Sequence, residues 1–296
     1  MDNLCLGTVQ LGMKYGIANK TGQPSNQEIS KIIAIALNNG IRFFDTAQSY
    51  GESEVILGDI FEKLTERSEV KLITKLAPDF QHENVDQLRS SIDSSLTRLK
   101  MSSLWGLMTH RSSSVTDWER FSKHINSLDS GKLVQHFGVS LYSPEEAMKF
   151  VDNEFIDIIQ IPTNILDKRL IRNGFFERAI ENNKIIFIRS VFLQGLLLLN
   201  ESDLEKRKMG WAKEHLKFYH EFLRRNELLP QYFTLKAIRQ RFPELILVSG
   251  VETQMQLMDN LEILKSPDLE QSILNEWWSI LPDLPIELLD PSKWGV

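Results

Sequence analysis

Residues 4–12 read Leu4-Cys5-Leu6-Gly7-Thr8-Val9-Gln10-Leu11-Gly12. An apolar run ends in a turn at Gly7, and the next glycine comes only at Gly12. A doubly wound dinucleotide-binding sheet writes its first strand-to-helix turn as Gly-x-Gly-x-x-Gly, so that a pyrophosphate can lie against backbone at a helix start. That spacing is absent here. The turn therefore disfavours an open doubly wound sheet and leaves the closed barrel, the other architecture made of repeated strand-helix units.

Working outward from this turn, short β-branched or aromatic runs recur at Leu4–Val9, Ile41–Asp45, Val70–Thr74, Trp105–Thr109, Val134–Ser140, Ile156–Ile161, Lys184–Ser190 and Leu245–Ser249. Each is expected to be a strand. Between them lie amphipathic segments. Ser25 can cap a helix whose Ile29, Ile32, Ile33, Ala36 and Leu37 share a face, closed by Asn38-Asn39-Gly40. Val85, Leu88, Ile92, Leu96 and Leu99 recur at spacings of three and four. Ser143-Pro144-Glu145-Glu146 reads as cap, first-turn proline and acidic first turn, and Thr253 caps a last apolar segment through Leu264. With no Ser/Gly-rich linker between units, the expectation is a single (β/α)8 TIM barrel over residues 1–296, with a long loop after strand seven at about 196–229 and a helical or extended tail at about 266–296.

Composition narrows the function classes. The 296 residues carry 34 Lys+Arg against 40 Asp+Glu, and 42% are hydrophobic. This fits a globular chain and supplies no basic stripe for a phosphodiester backbone, so no nucleic-acid partner is expected. The longest apolar stretch, near Leu196–Leu199, is far below the roughly 20 residues of a membrane helix. The opening Met1-Asp2-Asn3-Leu4 lacks a basic region followed by an apolar one, so the expected location is cytoplasmic. One cysteine, Cys5, excludes an internal disulfide and a cysteine zinc site. No metal site is expected either, because His82, His124, His136, His215 and His220 show no ligand spacing. No oligomeric state is read from the sequence.

In a barrel, the C-terminal strand ends converge on one rim, which would gather Asp45, Tyr50, Lys75 and His110. These residue types suit polarisation of a carbonyl. An adjacent ammonium would lower the phenol pKa of Tyr50 and make it a proton donor, while Asp45 would keep Lys75 charged and in place. His110 could offer an N–H to the same oxygen. None of the four supplies electrons, which implies a hydride cofactor.

At these residues the sequence resembles the aldo-keto reductase family. Asp45-Thr46-Ala47-Gln48-Ser49-Tyr50-Gly51 is similar to the family's Asp-Thr-Ala-x-x-Tyr-Gly signature, and Lys75 in Leu72-Ile73-Thr74-Lys75 and His110 in Leu107-Met108-Thr109-His110 match the rest of its tetrad. Gly7-Thr8 and Gly12, Gly138-Val139-Ser140, Ile159-Gln160, Arg189-Ser190, Gln194-Gly195 and Gly250 through Asn260 follow in family order. The resemblance implies transfer of the pro-R hydride from NADPH or NADH to a small-molecule aldehyde or ketone, with Tyr50 as acid. It also implies a role for Thr8 and Asp45 beside the cofactor and places the carboxamide at Ser140 and Gln160, with Arg189 flanking the nicotinamide. Ser190, Phe192, Gln194 and Gly195 would lie along the pyrophosphate, and Gly250, Glu252, Thr253, Gln256 and Asn260 around the adenosine end.

Two departures bear on the cofactor. Leu141 stands where relatives often have an asparagine that helps fix the carboxamide. Gly250-Val251-Glu252-Thr253 stands where many relatives place arginine or lysine for a 2′-phosphate. Family habit favours NADPH, Glu252 favours NADH, and Lys206-Arg207-Lys208 offers cations that could swing over a phosphate. A third departure is structural: little chain precedes strand one to plug the barrel floor. Polar residues such as Gln48, Ser49, Arg111 and Asn164 lean toward a hydroxylated or sugar-like carbonyl. Tyr15, Trp211 and Trp294 are candidate lid aromatics. A non-catalytic cofactor-binding regulatory subunit on the same barrel is the alternative function.

Overall fold

Eight parallel strands, β1 (Leu4–Gly7), β2 (Phe43–Asp45), β3 (Lys71–Lys75), β4 (Leu104–Thr109), β5 (Val134–Ser140), β6 (Ile158–Pro162), β7 (Ile185–Arg189) and β8 (Ile246–Gly250), pair in chain order. β1 hydrogen-bonds to both β2 and β8, which closes the sheet. The architecture is the (β/α)8 barrel expected from the sequence, seen in a computed structural model that describes residues 3–64, 67–81, 84–128 and 132–294. His82 lies outside the described residues, as do the first two and last two positions of the chain.

Helix starts follow the side chains that satisfy their free amides. Ser25, Asn84, Ser143 and Thr253 each accept a backbone N–H three residues on, opening helices Asn26–Asn38, Val85–Leu99, Pro144–Phe150 and Gln254–Lys265. Each cap contributes about 1 kcal/mol. The first helix buries Ile29, Ile32, Ile33 and Ala36 against the barrel wall and is followed by Gly40 at φ +80°.

Strand alternation sorts the side chains into two shells. Leu4, Leu6, Phe44, Leu72, Leu107, Val139, Ile159, Ile186 and Leu247 face the helices, whereas Cys5, Phe43, Ile73, Met108, Ile158, Phe187, Ile246 and Val248 fill the barrel interior. The inward parity continues upward. Asp45, Lys75, Ser140, Gln160, Arg189 and Gly250 are each an even number of residues beyond an interior position on their strands or, for Ser140, two beyond Gly138. All six therefore point to the axis at the C-terminal rim. At the opposite mouth, Phe43 meets Trp105 and Phe187 edge-on at 4.9 and 5.6 Å, and the Lys71 ammonium lies 4.7 Å from the Phe43 ring centre. Aromatic rings from the strands themselves thus close the floor of the barrel.

The stretch expected as a loop at 196–229 is mostly helical. It contains Glu201–Lys206 and Lys213–Arg225, and it packs Leu216, Tyr219, Phe222 and Leu223 inward at helical spacing. The Tyr219 hydroxyl donates to the Leu197 carbonyl at 3.0 Å. In the tail, helix Gln271–Ile280 buries Trp277, whose indole N–H donates to the Ile165 carbonyl. No helix among the described residues is long and apolar enough to cross a membrane.

Candidate active site

The site begins with an ion pair that the fold puts out of water. Lys75 and Asp45 are both buried, and Lys75 Nζ lies 2.5 Å from Asp45 Oδ1. The ammonium also donates to the Thr46 carbonyl at 3.2 Å, and Gln160 Nε2 donates to the same Asp45 oxygen at 2.9 Å. A buried ion pair is tolerable when its remaining donors and acceptors are satisfied, as they largely are here. Lys75 Nζ reaches the Tyr50 hydroxyl at 3.5 Å, and the Tyr50 and His110 rings stand edge to face at 6.1 Å. The structure thus brings the four candidate catalytic residues together at one mouth of the barrel.

Tyr50 is held there by close backbone packing. A Cβ at Gly12 would overlap the Tyr50 carbonyl, and Gly51 takes φ +56° against the Gly12 carbonyl. Only glycine reaches both conditions cheaply. Below this turn, Thr8 Oγ1 donates to the Asp45 carbonyl at 2.9 Å, and Thr8 and Thr46 both meet the Ser53 hydroxyl. The buried Glu54 carboxylate accepts from Thr74 at 2.7 Å and pairs with Arg98 at 2.6 Å. Ser53 and Glu54 were not singled out from sequence. The available signal was two polar residues buried at the start of the apolar helix Ser53–Phe61.

The electrostatics differ from the sequence expectation at Tyr50. Burial pushes the phenol above its ordinary value and outweighs the Lys75 ammonium, which pulls it down. Before any ligand arrives, the hydroxyl is therefore firmly protonated. Burial alone would lower the Lys75 pKa, yet Asp45 foremost holds it above the usual lysine value. Burial, aided by the Lys75, Arg189 and Arg111 charges, lowers His110 to about 4, so the imidazole is neutral near pH 7.

The candidate catalytic group opens into a cavity of about 490 Å³, within the range of small-molecule and cofactor sites. Of the sequence-derived cofactor residues, Thr8, Asp45, Ser140, Arg189, Ser190, Phe192, Gln194, Gly195, Gly250, Glu252, Gln256 and Asn260 line it. Gln160 sits one shell deeper, bonded to Asp45, and Thr253 acts as helix cap behind Gln256. Arg189 donates to the Leu141 carbonyl at 3.0 Å and lies over the Tyr142 ring at 4.6 Å, so the backbone at Leu141 makes a contact its side chain cannot. Ser190, Leu193 and Gln194 all take left-handed φ values. Such strain is costly, of order 1–3 kcal/mol each, and concentrates where backbone groups must be aimed.

Several lining residues were missed from sequence: Gln10, Tyr142, Arg169, Gln231, Asp290 and Ser292. Gln10, Arg169 and Gln231 sit in the first turns of helices Val9–Gly12, Arg169–Arg172 and Pro230–Arg241, Tyr142 is in a loop and Asp290 and Ser292 are in the tail, with no shared local pattern to mark them. Of the three lid aromatics, Tyr15 lines the cavity, while Trp294 is buried against the Leu288 carbonyl and Trp211 lies outside the lining. Asn164 accepts the Leu166 N–H and is not among the residues that line the cavity. Arg207 donates to the Asn19 carbonyl at 3.1 Å. No group of three or more His, Cys, Asp or Glu side chains among the described residues could hold a metal ion.

Comparison with known proteins agrees with this fold. The chain is 30% identical to aldo-keto reductase YhdN of Bacillus subtilis over 174 residues, 56% of this chain and 52% of that protein. It is 29% identical over 133 residues to a 6-dehydroglucose reductase of Novosphingobium aromaticivorans, covering 40% of this chain and 43% of the relative. The matches thus span about half the length of these curated relatives or less. A solved holo structure of an aldo-keto reductase from Bacillus halodurans superposes with a TM-score of 0.73 at 18% identity, covering 94% of this chain and 91% of that one, a likeness of fold. The match to the Aldo/keto reductase family runs over residues 3–281, nearly the whole barrel and the four residues at its mouth, and the chain belongs to that family.

Proposed function

We propose that the chain reduces an aldehyde or ketone to an alcohol with a reduced nicotinamide dinucleotide, Tyr50 acting as general acid. The observation that carries this is the buried relay Asp45–Lys75–Tyr50, with a neutral His110 beside the phenol. The cavity residues fit the cofactor. Behind the lining, Gln160 Oε1 is buried without a partner and would suit a carboxamide N–H, and Ser140, which does line the cavity, stands next to it in the β5–β6 register. Arg189 would flank the nicotinamide, and the left-handed turn from Ser190 through Gly195 would follow the pyrophosphate.

The bound dinucleotide would supply the hydride to the carbonyl carbon. The chain's own groups manage the oxygen. As negative charge develops there, the Tyr50 O–H donates its proton, and the phenolate left behind is stabilised by Lys75. The Asp45 carboxylate holds that ammonium charged and fixed by a direct ion pair. His110 has a buried, unpartnered Nδ1 and carries one N–H in its neutral form, which serves as a second donor without adding charge.

The substrate class we favour is a hydroxylated or sugar-like carbonyl. Arg169, Asp290 and Ser292 add charged and hydrogen-bonding groups to the same cavity as Tyr15 and Tyr142, a mixture of rings and polar atoms that suits a polyol. A panel of aldehydes, keto sugars and aromatic carbonyls with each reduced dinucleotide tests this. Turnover confined to aromatic carbonyls would remove the sugar-like assignment, and Tyr50→Phe retaining full turnover would remove the assigned acid.

A further inference from the structure

The far end of the cavity, walled by Glu252, Gln256 and Asn260, bears on which dinucleotide enters. A 2′-phosphate brings up to two negative charges and needs unspent donors, and a helix N-terminus is the usual place to find them. Here the start of helix Gln254–Lys265 has little left to give. The Glu252 N–H donates to Gln256 Oε1 at 2.7 Å, and the Gln254 N–H donates to Glu28 Oε1 at 2.7 Å. The Gln256 N–H donates to the Thr253 hydroxyl at 3.2 Å. One of these acceptors is a carboxylate reaching across from helix Asn26–Asn38, and Glu252 places a second carboxylate at the same corner.

The nearby cations do not restore the balance. The Glu252 carboxylate accepts the Lys20 backbone N–H and lies in the field of Arg207, whose guanidinium is tied to the Asn19 carbonyl. An incoming phosphate would have to displace Glu28 or Gln256 from the amides and approach two like charges. A ribose 2′-hydroxyl meets no such obstacle, since it can donate to a carboxylate. We infer that this chain selects NADH over NADPH, with Glu28 and Glu252 as the specificity-determining residues. The inference rests on the cofactor assignment above.

The test is a binding titration of the intact chain with NADH and NADPH, followed by quenching of its tryptophan fluorescence. 5′-AMP and 2′,5′-ADP serve as non-redox probes of the same corner. NADH is expected to bind about tenfold more tightly or better at low salt, a gap of about 1.4 kcal/mol, and the gap should narrow as salt screens the carboxylates. Glu28→Gln keeps an acceptor for the Gln254 amide while removing charge, so NADPH should tighten several-fold with NADH nearly unmoved. Glu252→Gln should tighten NADPH further and weaken NADH. Thermal melts confirm that each variant remains folded. Equal or tighter NADPH binding by the wild-type chain, as Arg207 engaging the phosphate would give, overturns the selection. Unchanged NADPH affinity in both folded variants overturns the residue assignment. If neither dinucleotide binds, the cofactor assignment itself falls and takes this inference with it.

Discussion

The two ends of the cavity are built on different principles. At the Tyr50 end, a buried ammonium and carboxylate 2.5 Å apart are locked by Gln160 and the Thr46 carbonyl, and the turn carrying the phenol is wedged against Gly12. At the Glu252 end, helix amides are satisfied by side chains from two elements, and Glu252 and Gln256 are partly open to solvent. Water and alternative rotamers make the second arrangement cheap to alter, whereas the first loses stability as soon as one partner is removed. On the proposed function, a single fold would keep its chemistry rigid and its nucleotide choice adjustable.

The largest expected break in that contrast is Tyr50→Phe. Loss of the acid should lower kcat by about 10²–10⁴-fold, while dinucleotide affinity changes little. Steady-state kinetics paired with the fluorescence titration would check both halves. A parallel loss of cofactor binding would mean that the two ends are not separable.

Next in size is Lys75→Met. It strands the Asp45 carboxylate in a dry site, and chemical denaturation should show a loss of about 3–5 kcal/mol. Adding Asp45→Asn should recover part of that loss without restoring turnover, since the phenolate would still lack its counter-charge. Full recovery of activity in the double variant would show that the pair only supports the fold. A smaller effect is expected for Gly12→Ala, about 1–3 kcal/mol from overpacking against the Tyr50 carbonyl. Because the displaced backbone carries the acid, kcat should fall by more than the melting shift alone suggests.

What the sequence disclosed follows the same division. The strands and caps were legible because their cause is local: alternation in Phe43-Phe44-Asp45 or Leu72-Ile73-Thr74-Lys75 fixes which side chains face the axis, and Ser25, Ser143 and Thr253 announce helix starts. Helix Lys213–Arg225 was also legible in the spacing of Leu216, Tyr219, Phe222 and Leu223, but the length of the connection disguised it as a loop. Glu28 gave no sign of its role. It belongs to helix Asn26–Asn38 and meets the start of helix Gln254–Lys265, 226 residues away, only when the barrel closes. The Tyr50 phenol was misjudged for a related reason, because the attraction of Lys75 can be read from a motif while the dehydration that outweighs it is a property of the packed mouth.

His110 turns that dehydration into a pH dependence. Its imidazole has a folded pKa of about 4, below the 6.5 of an exposed histidine, with burial the leading cause. As pH falls from 6.5 toward 4, the unfolded chain takes up a proton that the folded chain refuses, so stability must drop across that window. The contribution is about 2 kcal/mol between pH 7.5 and pH 5, obtained by integrating the two titrations. His110→Gln removes the proton uptake and keeps a side chain able to donate an N–H. Denaturant midpoints measured across this range should therefore fall less steeply in the variant than in the wild-type chain. Identical slopes would mean that the folded imidazole titrates near its ordinary value. In that event His110 would approach the substrate oxygen partly charged below pH 7, and the neutral-donor role assigned to it would be lost.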